Sequence, residues 1–149
     1  MKALYFDTSY LFRVYSAEAG HAEVKGLLHG IDRIYSAQIA RAEFAAIVLR
    51  KRREKAASDK LLGELHEQFL DEVRDGHVRL IDPENDEFEV IEAVIRTAPS
   101  DTFLRGADAL HLASAAAHGF KEVYSNDRHF LAAAPLFGLR GINVINSRP

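Results

Sequence analysis

Five short apolar runs are separated by longer stretches in which apolar residues recur with helical spacing. The runs are short enough to be buried strands, and they lie at 3–6, 33–35, 78–81, 122–125 and 142–145. The longer stretches predict helices at 10–17, 21–29, 38–55, 60–75, 84–97, 103–118 and 127–133. Strands that alternate with helices predict an α/β domain built on a parallel sheet.

Some polar and turn residues mark the boundaries of the predicted elements. Ser36 is a predicted N-cap for the helix after the second strand, and Gly76 is predicted to end the helix 60–75. The number of helices is high for the number of strands. We therefore expect the helices 38–55 and 60–75 to form a protruding pair.

Composition narrows the class of protein. With 149 residues the chain is most simply one domain, 1–149. It has no cysteine, which excludes disulfides, thiol catalysis and cysteine–zinc sites and suits a reducing cytoplasm. Asp7 interrupts the N-terminal apolar run, so we expect no secretory signal, and no window has the apolar length of a membrane span. The net charge of −3 gives no indication of extensive nucleic-acid coating.

Four acidic residues are predicted to meet at one edge of the sheet. In an open parallel sheet, ligands bind at the carboxyl ends of the strands. Asp7 directly follows the first strand, and Asp127 comes just after the fourth. Glu43 lies early in the helix after the second strand, and that helix starts at the same edge.

Asp108 is the least expected of the four, because it lies in the largely apolar segment RGADALHLASA. An unpaired carboxylate in apolar surroundings is costly. The helix that contains it leads into the fourth strand and runs antiparallel to that strand. About fifteen helical residues span about 22 Å, whereas a strand of about five residues spans about 17 Å. The helix therefore crosses the whole sheet, and Asp108, near its start, returns to the carboxyl edge.

Carboxylates gathered in this way need a positive charge, and a divalent cation supplies it. Oxygen ligands without cysteine favour Mg²⁺ or Mn²⁺, which support phosphodiester hydrolysis by an activated water. Each acid also has an ordinary explanation: an N-cap for Asp7, a first-turn residue for Asp108, an exposed position for Glu43 and a turn for Asp127. These alternatives stay open for each residue, but all four would have to coincide at one edge.

The four acidic motifs together resemble those of the PIN-domain nucleases. The segments are YFDTSYLF, ARAEF, LRGADALHLASA and YSNDRHF, in that order and over essentially the whole chain. The first and third are fairly specific, whereas the second is one Glu in a helix. The chain length and the phrase DALHLASA are similar to the VapC toxins of VapBC toxin–antitoxin pairs.

The resemblance implies a three-layer PIN-like fold whose central parallel sheet of five strands, ordered 3-2-1-4-5, is flanked by helices. It implies an Mg²⁺- or Mn²⁺-dependent endoribonuclease that leaves 5′-phosphate and 3′-hydroxyl ends. Asp7 and Asp108 match the principal metal ligands, while Glu43 and Asp127 complete the catalytic acidic pocket directly or through water. Toxin relatives also imply a homodimer and a small antitoxin, and some antitoxins place a basic side chain in the pocket.

Three polar residues near the motifs have candidate supporting roles. Ser9 is either a hydrogen-bond partner of Asp7 or a helix-start residue. Ser125 and Asn126 either orient Asp127 or a water, or form an ordinary turn.

A histidine and several cations complete the candidates. His111 lies three residues after Asp108, so the two share a helix side, and we expect His111 in the core or behind the acids rather than as a base. Basic side chains near the acids would contact the RNA backbone, which positions the RNA without specifying its sequence. The candidate RNA-backbone contacts are Arg50, Lys51, Arg52, Arg53 and Arg105.

Two other classes of function also fit parts of this sequence. A non-catalytic PIN-like module that binds RNA or protein is the main alternative, although the complete set of acids favours catalysis. A phosphatase of the haloacid-dehalogenase type also begins with a strand and an Asp. It requires a second Asp two residues later, where Ser9 stands.

Overall fold

The computed structural model of the chain describes residues 1–146, so the end of the predicted domain, 147–149, lies outside the described residues. The strands are β1 (Ala3–Tyr5), β2 (Arg33–Ala37), β3 (Val78–Ile81), β4 (Glu122–Tyr124) and β5 (Arg140–Ile142). The helices are α1 (Thr8–Tyr15), α2 (His21–Leu27), α3 (Ala40–Arg53), α4 (Asp59–Asp75), α5 (Asn85–Thr97), α6 (Gly106–Ala117) and α7 (Arg128–Ala133), followed by a 3₁₀ helix at Ala134–Phe137. Each helix within 1–146 is too short or too polar to cross a bilayer.

The sheet consists of two parallel ladders. β2 pairs with β1 on one side and with β3 on the other, while β4 pairs with β5. One parallel bridge, between Phe6 and Tyr124, joins the ladders, and the Asp7 N–H donates to the Tyr124 carbonyl at 3.0 Å. The strands therefore follow the order 3-2-1-4-5, and the junction between β1 and β4 lies directly beside Asp7.

Helices cover both faces of the sheet, because successive strand residues point to opposite sides. Phe6 and Ile34 belong to a core shared with α1, α2, α3 and α4. Tyr5 and Val123 belong to a second core, formed with α5, α6 and α7. The predicted three-layer α/β arrangement with a parallel sheet is confirmed.

The inner turns of α3 and α4 pack on each other and on α1, whereas most of the residues 49–61 at their outer ends are exposed, so the protruding pair stays a prediction. Phe44 of α3 stacks on Phe69 of α4 with ring centroids 4.1 Å apart. From α1, Phe12 lies 5.0 Å from the Phe44 ring and Tyr15 lies 5.8 Å from the Phe69 ring. An apolar helix face shows that something covers it, but the spacing does not say which element does so.

The fifth strand is Arg140–Ile142 rather than the predicted 142–145. A β-carbon at Gly141 would lie 3.0 Å from the backbone of α7, so the strand requires glycine at this close approach. Beyond the strand the chain turns, and the Val144 N–H donates to the Tyr10 hydroxyl at 2.7 Å. Ile142 thus ends β5 and pairs with Tyr124, whereas 143–145 follow the strand unpaired, with Val144 half-buried and Ile145 buried against the core.

Among the other boundaries that differ from the prediction are the starts of α3 and α6. Ser36 is not an N-cap, because it lies within β2 and its buried hydroxyl donates to the Phe6 carbonyl at 2.7 Å. α3 begins at Ala40 without a side-chain cap. α6 begins at Gly106 rather than at about 103, after an extended N-cap residue, Arg105.

Candidate functional site

A cleft of about 340 Å³ lies at the carboxyl edge of the sheet, and all four predicted carboxylates line it. Asp7 is the N-cap of α1 directly after β1, and Asp127 is the N-cap of α7 shortly after β4. Glu43 and Asp108 lie in the first turns of α3 and α6. The structure therefore brings the four acids together, whereas their roles in catalysis and metal binding stay predictions.

Asp7 is fixed by three hydrogen bonds. Its Oδ1 accepts from the Tyr10 N–H at 3.0 Å and from the Ser9 hydroxyl at 2.6 Å. Its Oδ2 accepts from the Ser125 hydroxyl at 2.5 Å. Burial raises the pKa of Asp7 in spite of these hydrogen bonds, since the residue is only 6% exposed. The carboxyl group is thus held rigidly, with its negative charge only partly compensated.

The Ser125 hydroxyl links Asp7 to Asp127, because it also accepts from the Asp127 N–H at 2.9 Å. Asp127 in turn accepts at Oδ1 from two N–H groups of α7, at 2.8 and 3.2 Å. The Asn126 N–H donates to the Ser9 hydroxyl at 3.3 Å. The predicted supporting residues therefore contact the acids or one another. Asp7 and Asp127 are each a helix N-cap and also line the cleft. The structural role and the candidate functional role therefore do not exclude each other.

Arg105 pairs with two of the four acids. Its Nε donates to Oδ2 of Asp108 at 3.2 Å, and its Nη2 donates to Oδ2 of Asp127 at 3.0 Å. Burial raises the pKa of Asp108, and the charge of Arg105 opposes that rise. The sequence indicates Arg105 only as an RNA contact. The ion pair could have been inferred from its position three residues before Asp108, which places both on one side of the chain.

Glu43 is held by two groups behind the cleft. The Thr8 hydroxyl donates to its Oε1 at 2.7 Å, and Nε2 of His111 lies 2.8 Å from the same oxygen. Nδ1 of His111 lies 3.1 Å from the Tyr5 hydroxyl. Burial acts to raise the pKa of Glu43, but His111 and Thr8 outweigh it and the pKa is lowered. His111 thus lies behind the acids, as the sequence predicts, whereas the contacts of Thr8 and Tyr5 carry no recognisable sequence signal.

The basic run of α3 does not form one surface. Arg50 lines the acidic cleft. Arg50 and Lys51 also line a neighbouring cleft of about 320 Å³. Arg52 pairs instead with Asp59 at 3.5 Å, and Arg53 is exposed to solvent. Only the first half of the predicted RNA-contacting run therefore lies beside the acids.

The two clefts adjoin, because Ser9 and Arg50 line both of them. The neighbouring cleft also contains Arg13 and Lys51, and Nζ of Lys51 lies 2.8 Å from the carboxylate of Glu18. An extended polyanion placed across the acids would therefore meet several cations on this side.

The donors at the cleft fit a hard divalent cation in their chemistry. They are carboxylate oxygens, and burial raises the pKa of both Asp7 and Asp108, so their charges favour a cationic partner. Over residues 1–146, no three His, Asp or Glu side chains form a group that could hold a metal ion. The positive charge nearest to Asp108 and Asp127 is that of Arg105.

The fold and the cleft together describe a parallel α/β domain of the order 3-2-1-4-5. Its candidate hydrolytic site is the group of acids at the carboxyl edge of the sheet. The family model of the PIN domain matches residues 4–135. The chain therefore belongs to the PIN-domain family.

Solved structures of VapBC systems share this fold. VapBC-5 of Mycobacterium tuberculosis, a member of the VapBC family of toxin–antitoxin systems, is 23% identical with a TM-score of 0.64, covering 97% of this chain and 100% of that chain. VapC20 of M. tuberculosis, a sarcin–ricin loop cleaving toxin, is 20% identical with a TM-score of 0.63, covering 87% and 94%. VapBC2 of Rickettsia felis, bound to a promoter DNA fragment, is 17% identical with a TM-score of 0.59, covering 94% and 98%. No curated protein sequence matches the chain.

Proposed function

We propose that this chain is a divalent-metal-dependent endoribonuclease and the toxin of a VapBC-type toxin–antitoxin pair. The observation that carries the proposal is the presence of four carboxylates, from four separate elements, in one cleft. Membership of the PIN-domain family and the fold shared with VapC-type structures support it.

Asp7 and Asp108 would hold Mg²⁺ or Mn²⁺, with Glu43 and Asp127 completing the pocket directly or through water. When bound, such a cation lowers the pKa of a water and neutralises charge that develops on the phosphate. Arg105 contacts Asp108 and Asp127 through a side chain that is 63% exposed. Because its side chain is exposed, Arg105 can change rotamer. Once a metal ion binds the carboxylates, Arg105 would leave them and contact a phosphate of the substrate.

The protein's own side chains would orient the RNA. Arg50 lies where the two clefts meet, and Arg13 and Lys51 lie further along the neighbouring cleft. We propose that the phosphates beside the scissile bond contact these residues. Such contacts fix the position of the strand but do not read its sequence.

The partners follow from the same surface. An acidic cleft of this kind suits a basic side chain of a cognate antitoxin, which would compete with the metal for the carboxylates. We further propose that the toxin is a cytoplasmic homodimer, as toxin relatives usually are.

An RNA cleavage assay with Mg²⁺ tests the nuclease directly. Wild type should cleave a structured RNA, EDTA should abolish cleavage, and Asp7→Asn should lose it. Asp82→Asn is the matched control, because Asp82 follows β3 at the same sheet edge but is exposed outside the cleft lining. Equal behaviour of wild type and Asp7→Asn would contradict a nuclease and favour a non-catalytic RNA- or protein-binding module.

Growth on induced expression tests the toxin. Wild type should arrest growth, Asp108→Asn should not, and a small protein encoded next to this chain should restore growth when co-expressed. Normal growth with well-expressed, cleavage-active wild type would contradict the toxin role while leaving the nuclease in place.

A further inference from the structure

A chain of polar contacts runs from the sheet core to the cleft. The Tyr5 hydroxyl lies 3.1 Å from Nδ1 of His111, and Nε2 of His111 lies 2.8 Å from Oε1 of Glu43. The Thr8 hydroxyl lies 2.7 Å from the same Oε1 and 3.2 Å from the same Nε2. Tyr5 and His111 are 0% and 1% exposed, so this chain is screened from water.

The directions of these hydrogen bonds follow from their chemistry. The oxygens of a carboxylate only accept hydrogen bonds, and Nε2 of His111 lies 2.8 Å from Oε1 of Glu43. Nε2 of His111 must then carry the hydrogen, and we assign it as the donor. In the tautomer that carries its hydrogen at Nε2, Nδ1 is an acceptor, and the Tyr5 hydroxyl, 3.1 Å away, donates to it.

The arrangement leaves one carboxylate oxygen available. Both donors meet at Oε1 of Glu43. Among residues 1–146, no hydrogen bond is made to Oε2. Oε2 is therefore the oxygen that can accept from a water or a substrate in the cleft.

The ring of His111 is itself held in place by packing. It makes edge contacts with Tyr5 and Phe130, with ring centroids 6.1 and 6.3 Å away. A buried ring that contacts two aromatic side chains has little freedom to rotate. The fold therefore fixes the direction of the Nε2–H bond.

We propose that His111 and Thr8 are positioning residues, which clamp one oxygen of Glu43 so that the other faces the cleft in the orientation required for RNA cleavage. The role in cleavage rests on the proposed function. The clamp itself is a property of the folded chain and is testable without RNA.

Two matched amide variants of His111 separate its two contacts. His111→Gln places an amide near the position of Nε2 and keeps a donor for Glu43, whereas His111→Asn reaches only the position of Nδ1. Loss of such an orienting partner typically costs about 10–100-fold. We therefore expect His111→Asn to lower kcat by that factor with KM for RNA unchanged, and His111→Gln to recover most of the loss.

The same logic applies to Thr8. Thr8→Val keeps the shape but removes the donor, while Thr8→Ser keeps the hydroxyl. Thr8→Val should lower kcat and Thr8→Ser should not. This pair decides the question if the variants of His111 fail to fold, which thermal unfolding would reveal.

A double-mutant cycle tests whether His111 acts through Glu43. In a Glu43→Gln background, His111→Asn should cause no further loss of kcat, because the carboxylate it positions is gone. Equal activities of His111→Asn and His111→Gln, or a full second loss in the Glu43→Gln background, would overturn the proposal.

NMR of the imidazole nitrogens gives a readout that needs neither metal nor RNA. Long-range ¹H–¹⁵N spectra should show Nε2 of His111 protonated and Nδ1 as an acceptor in wild type. Glu43→Gln should change this pattern, whereas Asp82→Asn should not. An Nδ1-protonated ring in wild type would refute the clamp. An inactive wild type with the expected spectrum would refute only the proposed function.

Discussion

The two sides of the acidic cleft are built in different ways. Asp7 is 6% exposed and accepts from two hydroxyls and one backbone N–H. The side chains of Asp108 and Asp127 are 14% and 31% exposed, and they share Arg105, which is 63% exposed. Neutral hydrogen-bond donors thus hold Asp7, whereas the charge of Arg105 balances Asp108 and Asp127. The cleft therefore combines one carboxylate that neutral hydrogen bonds fix with two carboxylates that share one exposed guanidinium.

Removing the Ser125 hydroxyl should have the largest effect on RNA cleavage, because this hydroxyl holds Asp7 in place. Ser125→Ala deletes the donor to Asp7 and the acceptor for the Asp127 N–H. We expect single-turnover RNA cleavage to fall by about 10–100-fold, as for other groups that orient a metal ligand. Ser114→Ala is the matched control, since Ser114 is equally buried but its hydroxyl makes no hydrogen bond within the described residues. Equal rates for the two variants would show that Asp7 needs no such support.

The pH dependence of the free energy of unfolding should distinguish buried Asp7 from exposed Asp82. Burial raises the pKa of Asp7 in the folded protein above its value in the unfolded chain, so the folded state binds this proton more tightly. The resulting stability is present at low pH and is lost as the pH rises from about 4 through the folded-state pKa. Each unit of pKa difference corresponds to about 1.4 kcal/mol.

Chemical denaturation in EDTA from acid to neutral pH measures this effect. Wild type should lose stability relative to Asp7→Asn as the pH rises, whereas wild type and Asp82→Asn should change in parallel. A constant difference between wild type and Asp7→Asn would mean that Asp7 titrates alike in the folded and unfolded chains. That result would remove the evidence that the charge of buried Asp7 is only partly compensated.

The divided basic run predicts a smaller, several-fold effect on RNA binding. In an Asp7→Asn background, Arg50→Ala with Lys51→Ala should weaken RNA binding and reduce the salt dependence by about 0.7 in log–log slope for each lost phosphate contact. Arg52→Ala with Arg53→Ala removes the same charge from the same helix and should leave the slope nearly unchanged. Fluorescence anisotropy at several salt concentrations measures both. Identical slopes for the two double variants would show that only net charge matters.

Replacing Arg105 should have the smallest effect, and the property affected is the affinity for Mg²⁺. Exposed ion pairs contribute about 0.2–1 kcal/mol. Arg105→Met should therefore raise Mg²⁺ affinity by at most about fivefold, because it removes a competitor for Asp108 and Asp127. Calorimetric titration measures this, with Arg105→Lys as the variant that keeps the charge. Weaker Mg²⁺ binding by Arg105→Met would show that the guanidinium holds the acids in place instead.

The position of each acid along the fold could be predicted from the sequence. Asp7 directly follows a strand, and Asp108 lies near the start of a helix long enough to cross the sheet. Connectivity alone therefore placed both at the carboxyl edge. The strand order came from the resemblance of the acidic motifs to a known family, and the Phe6–Tyr124 bridge agrees with it.

Side-chain partners and the register of weakly paired segments could not be predicted in this way. Apolar residues at 142–145 indicate burial, but only the packing of Gly141 against α7 selects the paired residues. The contact of Arg105 with Asp127 joins residues 22 positions apart, and that of Thr8 with Glu43 joins residues 35 apart. Such pairs depend on the assembled fold, and spacing along the chain does not encode them.

Anomalous diffraction from crystals soaked in Mn²⁺ tests the central claim most directly. The account predicts an anomalous peak within coordination distance of the carboxylates of Asp7 and Asp108 in wild type, and no peak there in Asp7→Asn. Cleavage that requires Mn²⁺, combined with a peak elsewhere and none at these two residues, would contradict it.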